Sequence, residues 1–562
     1  MSEESKTVFV RKASGLTRVI SKWDALAYSF VAPTIAYAAH YIIWCQTFNP
    51  GADVYIASLW ILSLMPIAGL YVMFSISMPR SGGEYIYVSR IISPAWGLFA
   101  CWTLTIVGLN WSGVLTTWLV NWGIGDTLLA QGVLAGNTTL RDIGLYLNQS
   151  STIEAWIIGT LALVICYFIM ARGTKTVVRF TWIIFVWNFI GLAIYGVSAA
   201  MAGGAMSATV QNNILLYTGH SYTDIINGAI AAATGLGQTF PNGATYLLPT
   251  LMAGATYLNL STLGSTFAAN IAGEIKEVKA AQTLAQLGSL ALFVVYWEIF
   301  TFFQYAGFGS VWYQAIAMMD QANAGGVVGP GVTGDWLAYY FGFDTAYKLP
   351  LATYNVMFTT ANPILTGLST IHFAIIDFGG MLTLAFGPVR NLFAWSFDGI
   401  LPKWVNRVNR RGSPVNSVIL GGCIAWIIFT INTWTTWLAY IIHTIAIWMI
   451  GWCVFGIAGI FFPWRRKDIF DKSPGVVKKK IAGIPAVTIL GFVTLGVAAW
   501  GAYSALAPPI AALIGGGGGM EQIVGTVAFF VIIPFILYYA AYFINKRKGV
   551  PMDLRFKEIP PD

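Results

Sequence analysis

Two carboxylates stand inside long apolar runs of this chain: Glu298 in Val294-Val295-Tyr296-Trp297-Glu298-Ile299-Phe300, and Asp377 in Phe373-Ala374-Ile375-Ile376-Asp377-Phe378. A carboxyl group in such surroundings is protonated, paired with a cation or exposed to a water-filled cavity. Each arrangement lets a proton, a sodium ion or an ammonium group change the charge of an apolar interior. Asp377, beside Gly379-Gly380, is the candidate for ion coupling or amine recognition. Glu298 is a coupling candidate too, read more readily as a paired or protonated structural group. Ser29, Thr34, Ser261 and Thr262 add hydroxyls to such a site. Asn110 and Ser112 are further candidates, with interhelical hydrogen bonding as the plainer role. His40, His372 and His443 stand singly, as packing histidines do. No Walker loop and no Cys-x-x-Cys pair is present, so no enzyme, catalytic residue, metal site or cofactor is read. The five cysteines, Cys45, Cys101, Cys166, Cys423 and Cys453, read as small hydrophobes.

What positions these groups is a membrane-spanning bundle. The chain is 57% hydrophobic and 10% charged, with mean hydropathy +0.68; a soluble domain carries roughly 25% charged residues. Of its 31 lysines and arginines, all but Arg141 and Lys348 fall in alternate gaps between apolar runs. Cytoplasmic loops keep Lys and Arg while translocated loops lose them, so the pattern yields spans and orientation together. The net charge of +8 therefore points to lipid head groups and not to nucleic acid.

Twelve spans are expected: 23–47, 54–78, 94–122, 153–171, 181–202, 245–272, 283–311, 354–387, 415–432, 435–462, 481–507 and 522–545. Each needs about 20 apolar residues to cross the hydrocarbon layer. Both termini fall inside, and three long outer connections, 123–152, 203–244 and 312–353, fall outside. Asn137 and Asn148 begin Asn-x-Ser/Thr sequons on the outer side. The run Gly515–Gly519 reads as a flexible connector.

Two spans are unusual. The first carries Ser29-Phe30-Val31-Ala32-Pro33-Thr34-Ile35-Ala36, and the sixth carries Asn259-Leu260-Ser261-Thr262-Leu263-Gly264-Ser265-Thr266. Proline deletes a helical hydrogen bond and clashes with the preceding turn. Interruptions at corresponding places in two halves point to an inverted-repeat transporter. A proline kink plus a small-residue packing face is the simpler alternative.

The connections carry a resemblance. Met78-Pro79-Arg80-Ser81-Gly82-Gly83-Glu84-Tyr85-Ile86-Tyr87 follows the second span, and Ala272-Gly273-Glu274-Ile275-Lys276 closes the sixth. After the eighth, Arg390 precedes Phe397-Asp398-Gly399-Ile400-Leu401-Pro402 and Arg410-Arg411-Gly412-Ser413-Pro414-Val415. Together these resemble the signatures of the amino acid–polyamine–organocation (APC) superfamily of permeases. The resemblance implies an all-α fold of the leucine-transporter type, with about 12 transmembrane helices. Its parts are a tail (1–22), a first inverted repeat (23–202), an outer loop (203–244) and a second repeat (245–462). A basic loop (463–480), two extra helices (481–545) and a cytoplasmic tail (546–562) complete it.

The resemblance also implies a substrate cradled by the unwound middles of the first and sixth spans. The residues concerned are Ser29, Ala32, Pro33, Thr34, Ile35 and Ala36, with Leu260, Ser261, Thr262 and Gly264 opposite. The family's Gly-Ser-Gly falls near Ile35-Ala36-Tyr37 and is not matched, so Pro33 stands in as the helix breaker. Glu274 and Arg390, at cytoplasmic ends, read as ion-pair formers of a gate or loop.

The expected function is secondary-active transport of an amino acid or organic amine across the plasma membrane. The partners are that small molecule and the bilayer, and the expected coupling ion is H+ or Na+. A receptor that binds such a ligand without moving it, or a permease for another small solute, is the alternative. The topology makes a direct prediction. In a variant lacking the native cysteines, an impermeant thiol reagent added outside should label a cysteine at position 212 and spare one at 408. The reverse pattern would overturn the orientation.

Overall fold

The computed structural model describes residues 15–33, 38–149, 151–258, 262–324, 327, 351–435, 441–506, 520–550 and 552–557. Among them, ten helices are long and apolar enough to cross a membrane. They match ten of the twelve runs read from sequence. The other two, the first and the sixth, are the interrupted ones.

Depth in the bundle follows composition. The most hydrophobic windows of Pro94–Ala135 and Pro363–Asp398 are 89% and 72% buried, whereas that of Ala528–Arg547 is 22% buried. The third and eighth spans are thus central and the last is peripheral. Peripheral helices turn an apolar stripe outward: Ile157, Leu161, Val164 and Phe168 of Ile153–Ala171 recur at helical spacing and are exposed. In a bilayer that stripe meets acyl chains.

The third and eighth spans pack through small residues, which let backbones approach closely. A Cβ on Gly123 would stand 2.8 Å from the Ala374 Cβ, and one on Gly108 would stand 2.8 Å from the Leu384 carbonyl oxygen. Ser112 Oγ adds a hydrogen bond to the Met381 carbonyl at 3.1 Å. Helices Ile441–Arg465 and Ala486–Leu506 approach in the same way through Gly456 and Gly491.

Two of the departures from the sequence reading have a local reason. The eighth span does not begin at 354. Leu351–Thr360 is a separate helix, and Pro363–Asp398 starts anew. Ala361 adopts φ +47°, Asn362 caps the new helix, and Pro363 takes its first turn, where no N–H is required. The seventh helix, Ser289–Ala324, is broken at Gly309, which has φ +77°. The long connections expected outside are themselves helical, with Asp126–Ala135, Thr138–Asn148, Ala208–Thr218 and Tyr222–Gly235.

This last point separates the two sequons. Asn137 is an exposed helix cap, while Asn148 is 4% exposed and donates to Asp126 Oδ1 at 2.8 Å. The Gly515–Gly519 run lies outside the described residues, as does most of the stretch between 325 and 350. The cysteines are free, and Cys423 is exposed on the ninth span.

At the basic end of the bundle, helix Gly83–Ile91 connects the second and third spans, and a short helix, Met552–Lys557, docks beside it. Phe556 lies 5.2 Å from the Arg90 guanidinium, and Arg555 Nη1 donates to the Asp398 carbonyl.

Candidate functional site

The first segment enters as helix Lys22–Val31, capped by Ser21 and Asp24 in a reciprocal capping box. It ends at Ala32-Pro33 and is helical again over Ala38–Phe48. The sixth descends as Leu247–Ala253, widens into π turns over Gly254–Leu258, and from Leu263 runs in tight 3-10 turns to Glu274. Both segments lose α-helical geometry, and they do so beside each other. A Cβ on Gly264 would lie 2.8 Å from the Ala32 carbonyl carbon and 2.9 Å from its Cβ. The close approach at Gly264 is to the backbone of the first segment.

The remaining candidates sort by what they already bond. Ser29 is fully buried, and its hydroxyl has no hydrogen-bond partner. Ala32, Pro33 and Thr262 are buried at the meeting point. Thr34, Ile35, Ala36, Leu260 and Ser261 lie outside the described residues, as do the side chains of His40 and His443. Asn110 is half-buried with its Nδ2 unpartnered. Ser112 is otherwise engaged: it bonds Met381 and accepts from Tyr167 Oη at 3.3 Å. Its hydroxyl is thus engaged in interhelical hydrogen bonds.

Asp377 is fully buried, and neither carboxylate oxygen has a hydrogen-bond partner. Ala374, three residues before it, meets the third span at Gly123, and Met381, four residues after it, meets the same span at Ser112. Residues three and four apart share a helix face, so Asp377 belongs to the face turned to the third span. His372 presents elsewhere, against Gly191 and Tyr195. Glu298 accepts a hydrogen bond from Ser58.

A set of polar contacts ties the basic end together. Arg390 is fully buried, with Nε 2.8 Å from Glu274 Oε1 and Nη2 3.1 Å from Thr174 Oγ1. Its guanidinium also lies 3.7 Å from the Phe386 ring centroid. Thr174 donates to Glu274 as well. The Val19 and Ile20 amides donate to the Glu274 carbonyl, and Lys276 N donates to the Ile20 carbonyl. Glu274 and Arg390 thus pair as expected, joining the ends of the sixth and eighth segments to the start of the fifth. The chain entering the first segment is tied to the same end.

A second cluster escaped the sequence reading: Tyr71, Glu84, Asn270, Asn391 and Thr105. Its sequence signals, Glu84 in the motif after the second span and polar residues in or beside apolar runs, say nothing about which of them meet.

The family model for amino acid permeases matches residues 16–529. This chain belongs to the amino acid permease family, within the APC superfamily. No curated protein matches it. The permease is accordingly a membrane transport protein, and the joined segments stand within the matched region.

Two variants test this geometry. In the permease, Gly264→Leu should drive the first and sixth segments apart and abolish the substrate-induced shift in thermal unfolding, with the protein still inserted and monodisperse. An unchanged shift would place binding elsewhere. Arg390→Met strands the buried Glu274 carboxylate, and breaking a buried pair costs about 3–5 kcal/mol. It should therefore lower the unfolding midpoint clearly, whereas Arg466→Met, at a partly exposed pair, should change it little.

Proposed function

We propose that this permease is a secondary-active transporter of an amino acid or related organic amine in the plasma membrane, working by alternating access. The observation that carries the reading is the juxtaposition of two interrupted segments at Ala32 and Gly264, inside a helical bundle. In this reading the chain crosses the bilayer twelve times, with spans 1–5 and 6–10 as inverted repeats and both termini cytoplasmic.

The chemistry follows from helix ends. An interrupted helix leaves N–H groups free at one half's start and carbonyls free at the other half's end. The first group holds a carboxylate and the second an ammonium, so a zwitterion is bound without a charged side chain. The ligand set is Ser29, Ala32, Pro33, Thr34, Ile35 and Ala36, faced by Leu260, Ser261, Thr262 and Gly264, with Asn110 from the third span. The unpartnered Ser29 hydroxyl and Asn110 amide supply polar groups without breaking existing bonds.

Asp377 is the coupling group in this reading. It stands 13 residues before Arg390 on one continuous helix, which at 1.5 Å per residue is about 20 Å from that end and within the hydrocarbon layer. It has no salt bridge among the described residues and no hydrogen-bond partner. Binding H+, Na+ or the substrate ammonium there would neutralise it. Glu298, already bonded to Ser58, is assigned a structural role.

Uptake of labelled amino acids into proteoliposomes tests the function, and binding without uptake would make the protein a receptor. In the same assay Asp377→Asn should reduce ion-driven uptake or substrate affinity far more than Glu298→Gln, across external pH and with sodium present or absent. Normal uptake by Asp377→Asn under all these conditions would end the coupling assignment.

A further inference from the structure

Glu84 begins helix Gly83–Ile91 and is 1% exposed. Tyr71 Oη donates to its Oε1, and Trp452 Nε1 donates to the same tyrosine oxygen at 2.9 Å. Asn270 Nδ2, from the sixth segment, lies 3.4 Å from Glu84 Oε2, a long contact. No cation compensates the carboxylate among the described residues. Arg90 of the same helix pairs with Asp398 and Arg390 with Glu274, while Arg555 of the C-terminal helix donates to the Asp398 carbonyl. The titratable groups facing Glu84 are Tyr71 from the second span, Cys101 from the third and Tyr87 from its own helix. All are neutral at pH 7. The sixth segment and helix Ile441–Arg465 face it with Asn270 and Trp452.

Asn270 holds the second observation. It is fully buried, and its Nδ2 donates to Asn391 Oδ1 at 2.8 Å. Asn391 Nδ2 donates onward to Thr105 Oγ1 at 2.9 Å. The Asn270 Oδ1, however, has no donor. A buried acceptor without a donor and a buried carboxylate without a cation are both costly, and here they are neighbours. One added proton removes the uncompensated charge and gives Glu84 a donor to offer the Asn270 amide beside it. The chain of bonds then runs unbroken from Glu84 through the sixth segment and the eighth span to the third.

We propose that Glu84 is a proton-binding site: its protonated form ties the sixth segment to the connection between the second and third spans, and opening of the inner face releases that proton to the cytoplasm. The inference rests on the alternating-access reading only for which face opens. The bound species is a single proton, gained by the carboxylate on closing and lost to bulk water on opening.

Burial pushes the Glu84 carboxyl up to about 7, against the hydrogen bonds from Tyr71 and Asn270. Opening would hydrate it and return it to the ordinary range near 4.5. The closed face therefore gains stability from the proton below that range and loses it as pH rises through about 7. One linked proton changes the closed-to-open ratio about tenfold per pH unit within this window. Above it the ratio is flat.

Two readouts on the purified full-length protein test this. In pH-difference infrared spectra, a protonated-carboxyl band should titrate near neutrality and be missing from Glu84→Gln. Tyr71→Phe removes a donor to the carboxylate and should move that midpoint upward. Separately, a cysteine at Ser81 in a background without native cysteines should react faster with a thiol reagent as pH rises from 5 to 7. The rate is corrected against an exposed control cysteine, and Glu84→Gln should abolish the slope. A band that survives in Glu84→Gln, a midpoint unmoved by Tyr71→Phe, or an unchanged slope would each overturn the proposal. Neither readout needs uptake, so a protein that binds without transporting would fail the transport reading and leave this test standing.

Discussion

A backbone polar group in hydrocarbon must find its partner within the protein, and this requirement organises the molecule. The ten long apolar helices meet it largely by internal bonding. The first and sixth segments do not, and such segments persist in a membrane only where protein or a water-lined cavity encloses them. Each therefore needs the other. Gly264 has no side chain to hold off the Ala32 carbonyl, and the deeply buried third and eighth spans complete the bundle. The groups left over by the interruptions are the ones that the proposed zwitterion binding would use.

The basic end shows a different balance. Arg390–Glu274 and Arg90–Asp398 are both buried, and their desolvation offsets much of their attraction. Their value lies in register. Arg390, Glu274 and Thr174 hold three segments in one relative position, and Val19 and Ile20 attach the first segment to the same carbonyl. Contacts of this kind define one arrangement sharply, and the proposed alternating access would exchange them for another set.

Legibility from sequence followed the range of the physics. Span positions come from hydropathy summed over many residues, so ten runs reappear as helices with boundaries shifted locally, as at Asn362-Pro363. The interruptions at Pro33 and Gly264 were legible because proline and glycine act on their own backbone. That they touch was implied only through the family resemblance. Partnerships were less accessible. Which groups the Ser112 hydroxyl bonds, Met381 and Tyr167, could not be read from sequence, and Asn148 looked like a surface sequon until Asp126 held it inside. Glu84 was visible in a motif, but its relation to Asn270, 186 residues away, depends on tertiary packing that no local pattern encodes.

The central claim, that a small zwitterion binds where the first and sixth segments meet, is tested most directly by substrate protection. A cysteine at Thr262, in a background without the native cysteines, is alkylated in reconstituted protein with and without a panel of amino acids and amines. The account predicts that the transported compound slows this reaction at concentrations that saturate binding, and leaves a control cysteine at position 212 unaffected. Equal alkylation rates at 262 with and without a compound that demonstrably binds would contradict it.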